Sequence, residues 1–516
     1  MTSWRTASVS LLSFSSGLPL GLVWIAIPDW LTKEGVDLRV VGLVTLAQAP
    51  WTFKFLWSPF MDRFVPPGFA RFGRRRGWMA VAQLALFATT LALAGVGDHP
   101  ETPWVIGALA LAIAFASATQ DIAIDAYAVD VLQPEEQGVA VGARTAIYRA
   151  AMYFAGGFAI TLAGKLGWPA VNAILAACYL PMLIVSWKAP EPKGQPIAPK
   201  SLKDAVWQPF LGFLSRHRAL EILAFVLLYK FADQLAQTLQ RSFLVQSGYN
   251  DFDRGVALAT VGLFGNLVGI FLGGAMTAPL GLGRSLWLFG GLQIFSNLGY
   301  VLLSVQTGPN RWMMYSAMAF ETITSGMGTG AYGVLLLRLT QKRFSATQYA
   351  LFSSLFGLPR LLSGPITGFL VHAIGWTSFF WFSIVAGLPG LVMLSRFVPW
   401  NAREVEFTVE PPKRREALSA AGLAFRGVFG GLVGLGVGVG IRAVLGALEA
   451  AKGGGAFDLW PPLFALLHPE GIKAWLGLLG LAIFALTCGL LTAAIVAARR
   501  GAGLGLDDET ASTTPS

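Results

Sequence analysis

Apolar stretches long enough to cross a bilayer recur along almost the whole chain, and no other feature limits its possible folds so severely. A helix needs roughly 20 apolar residues to span the hydrocarbon core, and there every backbone polar group must be paired internally. Read with a hydropathy window of about 19 residues, the chain shows about fourteen such stretches. They lie near 8–30, 38–60, 77–97, 103–129, 138–163, 168–187, 219–245, 254–280, 285–305, 312–337, 346–371, 375–395, 418–449 and 471–498. With 54% of its residues hydrophobic and 13% charged, the chain is outside the range of an ordinary soluble domain. It reads as an all-α integral membrane protein.

The net charge of +10 would suit a nucleic-acid partner, but its distribution argues for topology instead. If the N-terminus is cytoplasmic, the inner side receives Arg5, Arg63, Arg71, Arg74, Arg75, Arg76, Arg284, Arg338, Lys342, Arg343, Arg499, Arg500 and two basic connectors. The opposite loops hold only Lys33, Arg39, Lys165, Arg254, Arg311, Lys452 and Lys473. This is the positive-inside pattern, and an even number of spans puts both termini in the cytoplasm. Cys178 and Cys488 sit in separate apolar runs without metal-ligand spacing, so no disulfide, metal or cofactor is expected. The four histidines, His99, His217, His372 and His468, share no motif, which disfavours a membrane-embedded transferase.

Punctuation divides the chain into two halves and an appendage. The expected organisation is a six-helix bundle over 1–187, a Pro- and Lys-rich linker over 188–218, a second six-helix bundle over 219–396, a connector over 397–417, two extra spans over 418–498 and a disordered tail over 499–516. The halves are related. "GGFAITLAGKLGW" and "GPITGFLVHAIGW" match at a constant offset of 208 residues, pairing Gly156, Gly167 and Trp168 with Gly364, Gly375 and Trp376. Likewise "SPFMDRF…GRRRGW" between spans 2 and 3 has a shrunken counterpart, "APLGLGRSLW", between spans 8 and 9. Two related six-span halves with a site between them near the midplane are the architecture of major facilitator transporters.

Charged residues inside apolar spans mark candidate function. In "SATQDIAIDAYAVD", Asp121 and Asp125 share a helix face at i and i+4, with Gln120 beside it and Tyr127 turned away. A carboxyl group out of water is readily neutral, as a proton carrier must be at one stage of its cycle. The alternative is an ion pair with Arg144 or Arg149 of the next span; Asp130 suits a cap or pair at the loop. In the seventh span Lys230, Asp233, Gln234, Gln237 and Arg241 follow one helical face, flanked by Tyr229. Such a stripe lines a cavity or, as a Lys230–Asp233 pair, holds helices together. Lys54, Arg149, Glu321 and Arg360 each interrupt an apolar run. Trp51, Trp57 and Tyr153 suit either sugar stacking or interfacial anchoring.

In order and spacing, "KFLWSPFMDR" with "GRRRGW", "SATQDIAIDAY", "LLYKFAD", "SGMGTGAY" and "KRFSATQYALFSSL" resemble the AmpG family of muropeptide permeases. The resemblance covers residues 8 to 498 and implies a major facilitator fold with two additional C-terminal helices. It implies import of anhydro-muropeptides, N-acetylglucosamine linked to 1,6-anhydro-N-acetylmuramic acid with or without a stem peptide. The implied carrier uses protons, sits in the bacterial inner membrane as a monomer, and serves cell-wall recycling and β-lactamase induction. On that reading Asp121, Asp125, Asp233 and Glu321 are candidates for proton coupling. Lys54, Gln120, Arg149, Tyr229, Lys230, Gln234, Gln237, Arg241 and Arg360 are candidates for binding the anionic substrate. Asp62, with Arg63, Arg74, Arg75 and Arg76, resembles the facilitator cytoplasmic gate. The alternatives are a facilitator for another bulky anion such as acetyl-CoA, or a non-transporting receptor.

Overall fold

The computed structural model describes residues 3–36, 47, 49–97, 103–191, 201–214, 216, 218–238, 240–405, 418–452, 456–469 and 471–500. Its regular elements are all helical. Among the described residues ten helices are long and apolar enough to cross a membrane. The other four expected spans are those that carry Lys54, Lys230, Glu321 and Arg360. They are helical where described, and parts of the spans carrying Lys54, Lys230 and Arg360 lie outside the described residues. Half of the second span lies outside the described residues, and the remainder is broken into Ala49–Phe53, a tight turn at Lys54–Leu56, and Ser58–Arg63. The seventh breaks at Tyr229 and Lys230, between Ala219–Leu228 and Phe231–Thr238.

The described chain forms two compact units, 1–205 with 220–406, and 206–219 with 407–516. Part of the expected linker is itself a helix, Leu202–Leu214, because "AVWQPFLGFL" is apolar enough to bury Leu211, Phe213 and Leu214. In the second unit, Ala420–Lys452 and Gly471–Arg499 form a pair whose glycines let the helices approach closely, Gly434 lying against Cys488 and Gly427 against Gly489.

The first unit holds both related halves, and its backbone carries the imprint of the repeat. Gly73 and Gly281 each precede a helix with φ of 76° and 83°. Gly167 and Gly375 turn the chain between consecutive spans with φ of 79° and 73°. Both pairs are 208 residues apart, and at positive φ a Cβ is strained. Arg76 and Arg284 complete the correspondence. Arg76 donates to the carbonyls of Trp187 and Ala189, which end the sixth span, and Arg284 to that of Asn401 after the twelfth.

Each half has its own apolar core. In the first, Leu18, Trp30, Leu86, Ile106 and Tyr179 are enclosed, and Trp30 stacks on Trp168 with ring centroids 4.9 Å apart. In the second, Phe243, Tyr300, Met314, Phe379 and Phe380 play that part. The halves meet along two seams at one end of the bundle. Along one, helices Pro134–Tyr153 and Gly262–Leu280 touch backbone to backbone: a Cβ on Gly138 would fall 2.2 Å from the Gly274 carbonyl oxygen, and one on Gly274 would fall 2.4 Å from that of Gly138. No side chain fits there.

Gly138→Val is therefore expected to hold this seam apart. In a background with Cys178 and Cys488 replaced by Ser, a cysteine placed at Ala346 should react several-fold faster with a membrane-impermeant maleimide once Gly138→Val is added. Gly157, which has open space around its Cβ position, supplies the control: Gly157→Val should leave the rate unchanged. Equal rates in all three proteins would show that the glycine contact does not keep this end closed.

Candidate functional site

The second seam is built on Asp62, which is fully buried at the end of Ser58–Arg63. Its Oδ1 accepts from Arg75 Nη2 at 2.7 Å and from the Ala346 N–H at 3.2 Å. Its Oδ2 accepts from the N–H and hydroxyl of Thr347 at 2.8 and 2.7 Å. Ala346 and Thr347 open the helix Ser345–Phe397, whose unpaired N–H groups and dipole favour an anion. Arg75 also donates to Ser345 Oγ at 2.7 Å and, through Nε, to Asp130 at 2.9 Å, while Ser345 Oγ donates to Asp130 at 2.7 Å. One carboxylate, one guanidinium and one helix N-terminus thus tie the halves together, and Asp130 completes the ring.

Three consecutive arginines diverge by about 100° each on a helix, so only one can serve this junction through its charge. Arg75 does. Arg74 caps the second span by donating to the Asp62 carbonyl, and Arg76 clamps the end of the sixth span through its carbonyls and Glu191. Arg63 lies over the Phe64 ring at 5.2 Å.

Above this junction both halves line a cavity of about 260 Å³. Its walls include Ser13 and Ser16 of the first span, Lys54 of the second, Asp121 and Asp125 of the fourth, and Arg144, Thr145 and Tyr148 of the fifth. The second half contributes Thr329, Tyr332, Tyr349 and Ser353 among others. Asp125 is held from two sides. Lys54 Nζ reaches its Oδ2 at 3.3 Å and Arg144 Nη2 its Oδ1. Asp121, one turn away, has a buried Oδ1 with no hydrogen-bond partner. The next-span cation that pairs with Asp125 is thus Arg144, which is absent from the expected binding residues, and not Arg149, which does not line the cavity. Gln120 is fully buried and donates to Ser16 Oγ at 3.4 Å.

Lys54 keeps its place because the broken second span is stapled to the fourth. Trp51 Nε1 donates to Ser117 Oγ at 3.3 Å and Trp57 Nε1 to Thr119 Oγ1 at 3.1 Å, three residues to either side of the lysine.

The seventh-span stripe is not one face of one helix. Lys230 lies at the break, 1% exposed, and donates to Asp233 at 2.6 Å, to Gln293 of the ninth span and to the carbonyl and hydroxyl of Ser325 in the tenth. Ser325 Oγ donates to Asp233 at 2.8 Å. Gln237 donates to Glu321 at 2.6 Å, and Tyr300 to the other oxygen of that carboxylate at 3.1 Å. Tyr229 is buried, donates to the Leu286 carbonyl at 3.0 Å and stacks on Tyr332. Gln234 is partly exposed. These groups hydrogen-bond to one another within the second half, the arrangement that a helix-joining Lys230–Asp233 pair would have. The side chains of Arg241 and Arg360 lie outside the described residues.

The sequence pattern of the Major Facilitator Superfamily matches residues 9–364. An anhydromuropeptide permease of Escherichia coli K12 is 41% identical over 392 residues, covering 76% of this chain and 79% of that protein. The chain belongs to the AmpG family of major facilitators. A Rickettsia felis protein named putative transporter AmpG 4 is 29% identical over 399 residues, covering 76% of this chain and 96% of its own. The crystal structure of the human organic anion transporter MFSD10 superposes with a TM-score of 0.57 at 14% identity, over 76% of this chain and 99% of that one. That likeness concerns the fold alone. As a member of the AmpG family the chain is a multi-pass membrane transporter and not an enzyme.

Removing one partner of a buried ion pair leaves an uncompensated charge and costs about 3–5 kcal/mol, whereas replacing both is often neutral. Lys230→Met is accordingly expected to lower the unfolding temperature in detergent sharply, and the double variant Lys230→Met/Asp233→Asn to recover most of the loss. A double variant as unstable as the single one would contradict a structural pair.

Proposed function

We propose that this AmpG-family carrier imports anhydromuropeptides across the bacterial inner membrane together with protons, by alternating access. The substrate class follows the 41% identity to the Escherichia coli permease, which covers 79% of that protein. The proton-coupling role goes to Asp121, on one observation: it is an acid in the cavity between the halves whose Oδ1 has no partner, while Asp125, Asp233 and Glu321 all have theirs. A carrier group must gain and lose a proton without dismantling the structure around it. Among the four acids Asp121 is held least.

On this reading the Asp62 end, whose loops are basic, faces the cytoplasm with both termini on that side, and the protein acts as a monomer. With Asp62, Arg75 and the start of Ser345–Phe397 joined, the carrier is closed towards the cytoplasm, and opening there requires this junction to part. Substrate released inside would feed cell-wall recycling.

Uptake of radiolabelled anhydro-disaccharide into right-side-out vesicles, with and without an imposed proton gradient, tests both parts. The wild type should accumulate substrate only with the gradient. Asp121→Asn should insert normally, lose accumulation and keep counterflow, because exchange with substrate bound needs no net proton release. Glu321→Gln should still accumulate. Gradient-driven accumulation by Asp121→Asn would remove that residue from the coupling role, and no uptake by wild type would remove the substrate class.

A further inference from the structure

Two cations meet on one acid of the cavity and none on the other. A layout that merely neutralised buried charge would give Lys54 to one aspartate and Arg144 to the other, since each unpaired charge away from water is expensive. Here Lys54 takes Oδ2 of Asp125 and Arg144 takes Oδ1, leaving Asp121 Oδ1 unpaired one turn away. The contrast with Lys230 is direct. That lysine is surrounded by acceptors on the seventh, ninth and tenth spans, whereas Lys54 and Arg144 converge on one carboxylate in the cavity wall.

We propose that Lys54 and Arg144 form a receptor for a free carboxylate of the transported molecule, and that Asp125 occupies this receptor while the carrier is empty. The proposal rests on the substrate class assigned above. Anhydro-muramic acid carries a lactyl carboxylate; when a stem peptide is attached there, the peptide brings carboxylates of its own. Every member of the class therefore offers the receptor an anion with the same two-oxygen geometry as the aspartate. Lysine supplies a point charge and arginine a planar fork, a combination suited to carboxylate. The two cations come from different spans, one set by the stapled break at Lys54–Leu56 and one by the helix Pro134–Tyr153. Hydroxyls of Ser13, Ser16, Thr145 and Tyr148 stand around the same cavity, where sugar hydroxyls and acetamido groups would need partners.

The charge balance links this receptor to the proton. When Asp121 carries a proton, Lys54 and Arg144 outweigh Asp125 by one positive charge, and an anion entering the cavity is matched. When Asp121 is ionised the four groups are neutral together, and the same anion is unmatched. Tyr148 from the fifth span and Tyr349 from the eleventh also line the cavity and add no charge while neutral. Proton and substrate are thus bound together more readily than either is alone.

The test measures binding of the anhydro-disaccharide and of its lactyl methyl ester to the purified full-length carrier in detergent, by calorimetry. The wild type should prefer the acid by at least about tenfold, equivalent to 1.4 kcal/mol. Asp125→Asn removes the internal occupant and should raise that preference several-fold further. The charge-balanced doubles Lys54→Gln/Asp125→Asn and Arg144→Gln/Asp125→Asn each remove half of the receptor and should bring it close to parity. Because the readout is a ratio within one protein, a partial loss of folded carrier does not alter it. Equal binding of acid and ester by the wild type, or a lower ratio in Asp125→Asn, would overturn the receptor while leaving the substrate class standing. Failure of the wild type to bind either compound would overturn both.

Discussion

Charge in hydrocarbon must be paired, and most of what distinguishes this molecule from a plain bundle of apolar helices follows from how that demand is met. An isolated ion out of water costs several kcal/mol even after the surroundings relax. Asp62, Arg75 and Asp130 meet the demand with each other and with a helix N-terminus. Lys230, Asp233 and Glu321 meet it with amide and hydroxyl side chains from neighbouring spans. In the cavity it is met unevenly, with two cations on Asp125 and neither on Asp121.

The two halves share a fold and have diverged in what they do with their charges. The positive-φ glycines at positions 73 and 281 and the clamping arginines at 76 and 284 survive in both. Arg75, however, has Gly283 as its counterpart, and the Gly283 N–H donates to the Arg403 carbonyl at 2.9 Å. A junction arginine is thus present in one half and replaced by a backbone contact in the other. The polar network of the second half is closed on itself, which leaves the first half to present both acids and both cations to the cavity.

Much of this was legible in the sequence. Span after span could be read from apolar length, the repeat from the 208-residue offset, and the acids of the Asp62 junction and of the cavity from charges placed where water is absent. Partner choice was not legible. Helical periodicity says which residues share a face but not which neighbouring helix that face meets, so Arg144 and Arg149 remained equal candidates until the fifth span was packed. The Lys230 stripe misled because periodicity assumes an unbroken helix, and the break at Tyr229–Lys230 turns the lysine into the interior. Trp51 and Trp57 looked like anchors because they flank a span end. Their role as staples depends on Ser117 and Thr119, more than sixty residues along the chain. Arg144 itself could have been found by asking which cation of the fifth span lies nearest in depth to Asp125.

The seams that close the Asp62 end are of unlike material. One is held by charge-assisted hydrogen bonds to a carboxylate; the other is a close backbone contact at Gly138 and Gly274, with the Thr277 hydroxyl beside it donating within its own helix to the Gly274 carbonyl. Water entering the first can replace every bond it breaks, so that side can come apart like a zipper once wetted. The second is held by close packing and not by hydrogen bonds between the halves, so it can shift without exchanging a bond and behaves as a bearing surface. A bundle fastened by a zipper on one flank and a bearing on the other would swing open unevenly, with solvent entering first beside the second and eleventh spans.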